Sequence, residues 1–438
     1  MTTADTIFAL ASGAGRAAVA VLRLSGPDSG AVLDRLAGRR PEPRRATLRP
    51  LRDGTGEVLD RALVLWFPGP ASFTGEDSAE LHLHGGRAVI AAVSAALTAA
   101  GARPAEPGEF SRRAFLHGKL DLTAAEGIAE LVEAETEAQR RQALQQAGGA
   151  LGRLAAGWAG RLTRLLAQNE AAIEFAEEDL PSELGDAVRA GAATLAAEIR
   201  HALAEDGGRG ERLREGLQVA ILGAPNVGKS SLLNALVGRD AAIVSARAGT
   251  TRDVVEARTV LAGVPAVLAD TAGLRDAAEE IEAEGIRRAR HRGEAADIVL
   301  AVFAADAPPD PDTLALLARR DCVAVANRCD LATPAPLHGD QPPLAVSART
   351  GDGMAALRAR LEAEAASRAG DGGLLTRPRH RAALEEAARW LAEAGEAPVA
   401  ELVSEALRQA SRALGRLTGA VGVEAVLDAV FREFCIGK

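Results

Sequence analysis

The stretch Leu217-Gln-Val-Ala-Ile-Leu222, followed directly by Gly223-Ala-Pro-Asn-Val-Gly-Lys-Ser230, decides the fold of the central part of this 438-residue chain. The first six residues have the apolar pattern of a buried strand, and the next eight match the phosphate-loop pattern G-x-x-x-x-G-K-[ST]. Glycines let backbone N–H groups surround phosphate oxygens, and the helix expected over Ser231–Val237 directs its N-terminus at the same charge. This order predicts an α/β nucleotide-binding domain with Lys229 at the β- and γ-phosphates and the Ser230 hydroxyl on Mg²⁺.

Two motifs further along the chain are typical of the phosphate side of such a site. Gly249-Thr-Thr-Arg-Asp253 contains Thr251, which we expect to complete the Mg²⁺ shell. An apolar strand over Ala266–Ala269 ends in Asp270-Thr-Ala-Gly273, where Asp270 would lie near Mg²⁺ and the Gly273 N–H would meet the γ-phosphate.

Two other motifs identify the base. The strand expected over Val323–Ala326 ends in Asn327-Arg-Cys-Asp330, and Ser347-Ala348-Arg349 provides a second loop at the base edge. The Asp330 carboxylate can accept hydrogen bonds from both guanine N1–H and the exocyclic amine, a pair of donors that adenine lacks. The sequence therefore predicts a guanine-nucleotide site formed by Gly223, Asn226, Val227, Gly228, Lys229, Ser230, Ser231, Ser245, Ala246, Arg247, Ala248, Gly249, Thr250, Thr251, Asp270, Thr271, Ala272, Gly273, Asn327, Arg328, Asp330, Ser347, Ala348 and Arg349.

Two positions depart from the common pattern. Arg328 stands where lysine is usual, and we expect it to be tolerated because its stem still stacks on the base. Leu274 takes the place of the glutamine that orients the attacking water in Ras-type enzymes. A substitute must come from elsewhere, and the segment that follows contains four candidates, which could equally form a solvated acidic helix face: Glu279, Glu280, Glu282 and Glu284.

Composition limits the class of protein. No apolar run reaches the ~20 residues that span a bilayer, no secretory signal is visible, and the three cysteines form no framework, so we expect a cytoplasmic protein with reduced thiols. The formal net charge of −9 implies that any RNA contact uses local patches or a partner. Only three of the 51 basic residues are lysines, which makes Lys119, Lys229 and Lys438 candidates for sites that need a compact ammonium.

Composition also divides the chain. Residues 1–118 resemble mixed α/β structure, with strand-like runs at Arg16–Leu24, Ala62–Phe67 and Glu80–His84. Long helices are expected after the cap signals at Asp121 and Thr123 and again near the C-terminus. The simplest arrangement is a helical domain interrupted by an inserted nucleotide-binding domain, with four segments: 1–118, 119–215, 216–372 and 373–438.

The signatures G-T-T-R-D and D-T-A-G-L-R, together with the terminal Phe434-Cys-Ile-Gly-Lys438, resemble the MnmE (TrmE) family of tRNA wobble-uridine modification GTPases over essentially the whole chain. The resemblance implies an α/β plus all-α fold: an N-terminal folate-binding-like domain that forms a homodimer, a split helical domain, and an inserted Ras-like P-loop GTPase domain. It also implies a potassium ion in place of an arginine finger. Asn226, a turn residue when taken alone, would bind that ion with backbone carbonyls around Ser245, Arg247 and Thr250.

The resemblance further implies catalytic and cofactor residues. It selects Glu282 as the water-orienting glutamate and Arg23, Glu80 and Lys119 as ligands of 5-formyltetrahydrofolate or another one-carbon tetrahydrofolate. Taken alone, Arg23 would be an exposed strand end, Glu80 a charge at the start of a strand and Lys119 a turn residue; the resemblance and the scarcity of lysine together make them folate candidates. We also expect Phe434 and Ile436 to pack the tail onto the folate domains, with Gly437 permitting a close turn and Lys438 beside the folate. Cys435 is either a nucleophile or a small buried residue.

In this family a flavin-dependent partner, MnmG, carries the FAD, and the complex installs an aminomethyl or carboxymethylaminomethyl group on C5 of the wobble uridine. The tRNA would be held mostly through the complex.

Two other classes of GTPase share part of the pattern. A ribosome-assembly GTPase of the Era or Der type has the same hydrophobic residue after D-x-x-G, but an Era-like protein would follow it with a KH domain, whereas residues 375–438 have a helical composition. A signalling GTPase with protein-binding flanks would be excluded by folate binding to residues 1–118.

Overall fold

The computed structural model describes eight stretches of the chain and four short pieces of its C-terminal tail: residues 5–13, 15–174, 183–238, 255–270, 296–319, 321–334, 336–337 and 342–421, then 427, 430–432, 434 and 437. The chain divides into two compact units. The first unit comprises Met1–Val132, Leu144–Arg200 and Ala382–Lys438, and the second comprises Glu133–Ala143 and His201–Arg381. The mixture of α/β and helical structure is confirmed, while the division into four segments is finer than these units and stays a prediction.

A six-stranded sheet forms the α/β part of the first unit. Its strands are β1 (Ile7–Leu10), β2 (Val19–Ser25), β3 (Thr47–Arg52), β4 (Val58–Phe67), β5 (Ser78–His84) and β6 (Arg103–Pro104). The order is β3-β4-β5-β2-β1-β6, and every neighbouring pair is antiparallel except β1 and β6. Strands β2, β4 and β5 were predicted to within a few residues, whereas β1, β3 and β6 were not.

Alternation along these strands separates an apolar face from a polar one. Leu22, Leu24, Leu81 and Leu83 point into a core closed by helices α1 (Ser29–Ala37) and α2 (Arg87–Ala99). Arg23 and Glu80 are interleaved with those leucines in β2 and β5. Because successive side chains of a strand point to opposite faces, Arg23 and Glu80 lie on the face that the two helices leave uncovered.

The remaining described helices are α3 (Glu109–Leu116), α4 (Leu122–Glu133), α5 (Glu137–Ala147), α6 (Ala150–Glu174), α7 (Glu183–Asp206), α8 (Arg209–Glu215), α9 (Lys229–Val237), α10 (Pro311–Arg319), α11 (Met354–Ala369), α12 (Pro378–Glu396) and α13 (Ala400–Thr418). The cap signal before α4 is confirmed, because Asp121 Oδ1 accepts the backbone N–H of Ala124 at 2.9 Å. None of the helices in the described stretches is long and apolar enough to cross a membrane.

A second six-stranded sheet organises the second unit. Its strands are β7 (Leu217–Leu222), β8 (Val255–Leu261), β9 (Val264–Asp270), β10 (Ile298–Ala304), β11 (Val323–Asn327) and β12 (Leu344–Ala345), in the order β12-β11-β10-β7-β9-β8. All pairs are parallel except β8 with β9. Strand β9 pairs with one side of β7 and β10 with the other, so the strand order reverses at β7. In parallel sheets of this kind ligands bind where the order reverses, and the loop after β7 lies at that point.

Candidate functional site

The loop between β7 and α9 has the geometry of a phosphate-binding loop. Asn226 and Gly228 adopt left-handed backbone conformations with φ of 63° and 91°, and α9 begins at Lys229. The Lys229 side chain is buried, and its Nζ donates hydrogen bonds to the carbonyl oxygens of Gly223 at 2.8 Å and Ala224 at 2.9 Å. The ammonium therefore lies inside the curve of the loop. Ser230 and Ser231 are exposed on the first turn of α9.

Asn327, at the end of β11, connects this loop to the Ser347–Arg349 loop. Its Nδ2 donates to the Val227 carbonyl at 2.9 Å, and its Oδ1 accepts the backbone N–H of Ala348 at 3.1 Å. The side chain is 3% exposed, so both bonds are shielded from water. Gly228 makes the approach possible, because a Cβ at that position would overlap Asn327 Nδ2. Three motifs that are far apart in sequence thus share one buried amide.

Asp330 presents a carboxylate that two residues of the Ser347–Arg349 loop orient. The Ser347 hydroxyl donates to its Oδ1 at 2.7 Å, and Arg349 Nη2 donates to its Oδ2 at 2.6 Å. The hydrogen bonds from Ser347 and Arg349 hold the pKa of Asp330 below its usual range. At neutral pH the group is therefore a carboxylate, the form that can accept two donors from guanine.

Arg328 makes contacts that the sequence did not predict. We expected only its stem to matter, but its guanidinium donates to the Asn226 carbonyl oxygen and lies 3.3 Å from the Asp306 carboxylate. Asp306 follows β10 and belongs to no motif, so no spacing could have identified it. The only feature of the sequence that could have indicated this contact is that Arg328 stands where lysine is usual.

Many of the expected nucleotide residues belong to segments that the structure leaves undescribed. The Asp270 backbone ends β9, but its side chain is outside the described atoms. The predicted roles of a further set also lie outside the described residues: Ser245, Ala246, Arg247, Ala248, Gly249, Thr250, Thr251, Thr271, Ala272, Gly273, Glu282, Cys435 and Lys438.

A second cluster of predicted residues lies in the first unit. Arg23 and Glu80 are directly opposite in the β2–β5 register, and Arg23 Nη2 is 3.1 Å from Glu80 Oε1. His82 Nε2 lies 3.4 Å from the other Glu80 oxygen. The Arg23 guanidinium also lies 5.6 Å from the ring centroid of Phe73 and 5.9 Å from that of Phe110. Sequence reasoning missed His82 and both rings.

Lys119 approaches the same part of the first unit from another element. It is exposed just after α3, and a Cβ placed on Gly75 would lie 3.6 Å from its Cε. Gly75 and Phe73 belong to the one loop between β4 and β5. The structure therefore places the Arg23–Glu80 pair and Lys119 beside the same loop, at positions two residues apart, although no contact joins the described side chains of Arg23 and Lys119.

Buried charges hold that loop in place. Arg113, 3% exposed, contacts Glu76 at 3.2 Å and Glu109 at 2.9 Å, and Arg103 contacts Glu109 at 2.7 Å. Burial alone would raise the pKa of Glu109, but hydrogen bonds from Arg103, the Glu106 backbone and Arg113 lower it to about 2. Glu76 is thereby fixed within the β4–β5 loop, next to Gly75.

Phe434 and Gly437 of the C-terminal tail contact other parts of the first unit, to which the tail belongs. Phe434 packs against Phe431 with ring centroids 5.3 Å apart, in a cluster that includes Leu122 of α4. Gly437 has φ of 102°, and a Cβ there would overlap the carbonyl oxygen of Leu10 at the end of β1. Strand β1 pairs with β2, which contains Arg23.

Two family models match successive parts of the chain. The family model described as "GTP-binding protein TrmE N-terminus" matches residues 6–119, and the model described as "MnmE helical domain" matches residues 122–435. A protein of Gluconacetobacter diazotrophicus is 58% identical over 99% of this chain and 98% of its own length. Proteins of Rhodospirillum rubrum (56% identical, 100% of both chains) and Methylorubrum populi (58%, covering 99% and 98%) are equally similar.

All three relatives bear the name tRNA modification GTPase MnmE. Among solved structures, the G domain of the T. maritima FeoB iron transporter is 27% identical over 34% of this chain and 98% of its own length, with a TM-score of 0.26.

Proposed function

Since the chain belongs to the MnmE (TrmE) family of tRNA modification GTPases and is a GTP hydrolase, we propose that it hydrolyses GTP with Mg²⁺ and K⁺ and acts on the tRNA wobble uridine. With a flavin-dependent partner of the MnmG type and a one-carbon folate, it installs a (carboxymethyl)aminomethyl group at C5 of that uridine. The observation that carries the proposal is the buried Asn327 amide, which ties the phosphate loop to the base-edge loop beside Asp330. A cytoplasmic homodimer is part of the same proposal.

Cation binding in the nucleotide site is supported by the loop geometry. Asn226 is exposed at a left-handed turn whose carbonyl is already engaged by Arg328, which leaves the side-chain amide for another ligand. We assign this amide to K⁺, with carbonyls of Ser245, Arg247 and Thr250, and Mg²⁺ to Ser230 and Thr251. When bound, the cations neutralise charge on the phosphates, while Glu282 orients the attacking water.

Steady-state GTP hydrolysis in KCl and in NaCl tests the potassium assignment. Wild-type turnover should be much faster in K⁺, and Asn226→Ala should remove the difference. Asn234→Ala, an exposed asparagine on α9, is the matched control and should keep it. Equal wild-type rates in both salts would contradict the assignment, as would a potassium preference that survives in Asn226→Ala.

Folate binding is supported by the charges and rings around Arg23. The Arg23 guanidinium near the Phe73 and Phe110 rings, the Glu80 carboxylate and the exposed Lys119 ammonium offer contacts to a flat heterocycle with a charged tail. Calorimetric titration with 5-formyltetrahydrofolate should show binding that Arg23→Ala abolishes. Arg87→Ala, an exposed arginine at the start of α2, should leave that binding unchanged.

The complete function is tested in a strain that lacks this chain. Mass spectrometry of its tRNA nucleosides should show loss of the C5-modified uridines, and the full-length chain should restore them. Deleting residues 435–438 should leave GTP hydrolysis nearly intact and prevent restoration. Intact nucleosides together with abnormal ribosomal subunit profiles would instead favour a ribosome-assembly GTPase.

A further inference from the structure

One segment of the first unit has a charge opposite to that of the whole chain. Residues 35–52 contain seven arginines and one glutamate, a net charge of +6, while the chain has a net charge of −9. The segment runs from the end of α1 through β3, the edge strand of the first sheet. We give the name basic edge to the five arginines that lie between the end of α1 and the last residue of β3: Arg39, Arg40, Arg44, Arg45 and Arg49.

Aromatic rings at the end of β4 hold part of the basic edge. The Arg40 guanidinium lies 5.4 Å from the Trp66 ring centroid, and the Arg44 guanidinium lies 5.6 Å from that of Phe67. The Arg44 N–H also donates to the Trp66 carbonyl at 2.8 Å. Because Trp66 and Phe67 are consecutive in a strand, their rings point to opposite faces, and the two cations lie on both sides of the same sheet edge.

Most of this charge is not neutralised by the residues that the structure describes. Among them, only Asp34, beside Arg40, and Glu42, beside Arg45, place a carboxylate within ion-pair distance of the basic edge. Within the described parts of the chain, Arg39, Arg44 and Arg49 have none. An ion pair as exposed as Arg45–Glu42 contributes little to stability, so another anion can readily replace the Glu42 carboxylate beside Arg45.

The strand beside these arginines is poorly suited to a protein partner that adds a strand. Pro50 lies within β3 and has no N–H for another strand, and charged residues on an edge oppose pairing. Guanidinium groups instead match phosphate oxygens in a bidentate geometry. We propose that the basic edge binds the phosphate backbone of tRNA, an inference that rests on the proposed function and adds to it a surface on this chain.

The test compares two variants of the full-length chain with the same net charge. The first removes the unpaired cations of the basic edge: Arg39→Gln, Arg44→Gln and Arg49→Gln. The control removes three exposed arginines on α6, α7 and α13, for which the described residues offer no ion pair: Arg164→Gln, Arg200→Gln and Arg412→Gln. Binding of unmodified tRNA is measured by fluorescence anisotropy at several KCl concentrations.

The basic-edge variant should lose affinity by roughly tenfold or more at low salt, and its slope of log K against log [KCl] should fall by about two to three. The control should stay within about twofold, because charge far from a contact is screened. Replacing Arg39, Arg44 and Arg49 by lysine should preserve most of the binding, since the phosphate charge is still met. GTP hydrolysis should be unchanged in all variants, which shows that they fold.

Equal losses in the two glutamine variants, or no loss in either, would overturn the inference. So would binding to vesicles of phosphatidylcholine and phosphatidylglycerol that depends on the basic edge while tRNA binding does not. If the strain that lacks the chain loses the modification but the basic-edge variant binds tRNA normally, the proposed function stands and this surface is wrong.

Discussion

Replacing Asn327 should weaken nucleotide binding, because its side chain joins the phosphate loop to the base-edge loop. Its amide makes two buried hydrogen bonds, one to the Val227 carbonyl and one from the Ala348 N–H. Each bond contributes about 1 kcal/mol net, and an unpaired buried partner costs about 1 to 3 kcal/mol. Asn327→Ala leaves both partners without this amide, so GDP binding should weaken by about 2 to 6 kcal/mol, which is roughly 30- to 10⁴-fold.

Asn327→Asp separates the two bonds. Aspartate has the same shape and still accepts the Ala348 N–H, but it places a carboxylate oxygen against the Val227 carbonyl where the amide donated. Its GDP affinity should be at least as low as that of Asn327→Ala, because repulsion replaces a hydrogen bond.

Titration with a fluorescent GDP analogue measures the affinities, and thermal unfolding measures how much of the cost falls on the fold instead. Asn234→Ala, at an exposed position on α9, is the control, and it should change neither the free energy of GDP binding nor that of unfolding by more than about 0.5 kcal/mol. GDP affinity within about threefold of wild type in Asn327→Ala, without a lowered unfolding temperature, would refute the bridging role.

Four further changes test single contacts. Asp330→Asn should move the base preference from guanine toward xanthine, because an amide can donate where the carboxylate accepted. Competition between GDP and XDP measures this preference, and an unchanged affinity ratio would argue against Asp330 as the residue that recognises the base. Arg328→Lys should keep GDP affinity within about 1 kcal/mol, since an ammonium can still reach one acceptor; a larger loss would mean that the second contact, to Asp306, matters for binding. Gly228→Ala should reduce nucleotide affinity strongly, because its φ of 91° and the nearby amide leave no room for a Cβ; wild-type GDP titrations would contradict that packing. Glu109→Gln should cost about 3 kcal/mol of unfolding free energy at pH 7 and roughly half of that at pH 3. The reason is that a carboxylate whose pKa is lowered from 4.5 to about 2 stabilises the fold above pH 4.5 and loses this contribution as the pH falls toward 2. Urea unfolding at both pH values measures the cost, and a difference that does not depend on pH would exclude the ionised carboxylate as its cause.

The contiguous motifs could be predicted from the sequence because each depends on neighbouring residues. A phosphate loop needs glycines and a lysine at a set spacing between a strand and a helix, and all of these lie within Leu217–Val237. The strands β7, β9 and β11 are buried and almost uniformly apolar, so their positions were also visible. The Asp121 cap before α4 is equally local, since the side chain bonds to a backbone group three residues away.

Only the tertiary structure decided the contacts between segments, because strand register and loop packing depend on residues far apart in the chain. Arg23 meets Glu80 only because β2 and β5 pair in one register, and a shift of one residue would move either side chain to the other face. Strand β3 has a mixed polar pattern and was missed, since its place at the sheet edge comes from pairing with β4. Arg328 reaches a phosphate-loop carbonyl 102 residues away because parallel strands bring their carboxyl ends to one edge of the sheet, a proximity that no sequence spacing encodes.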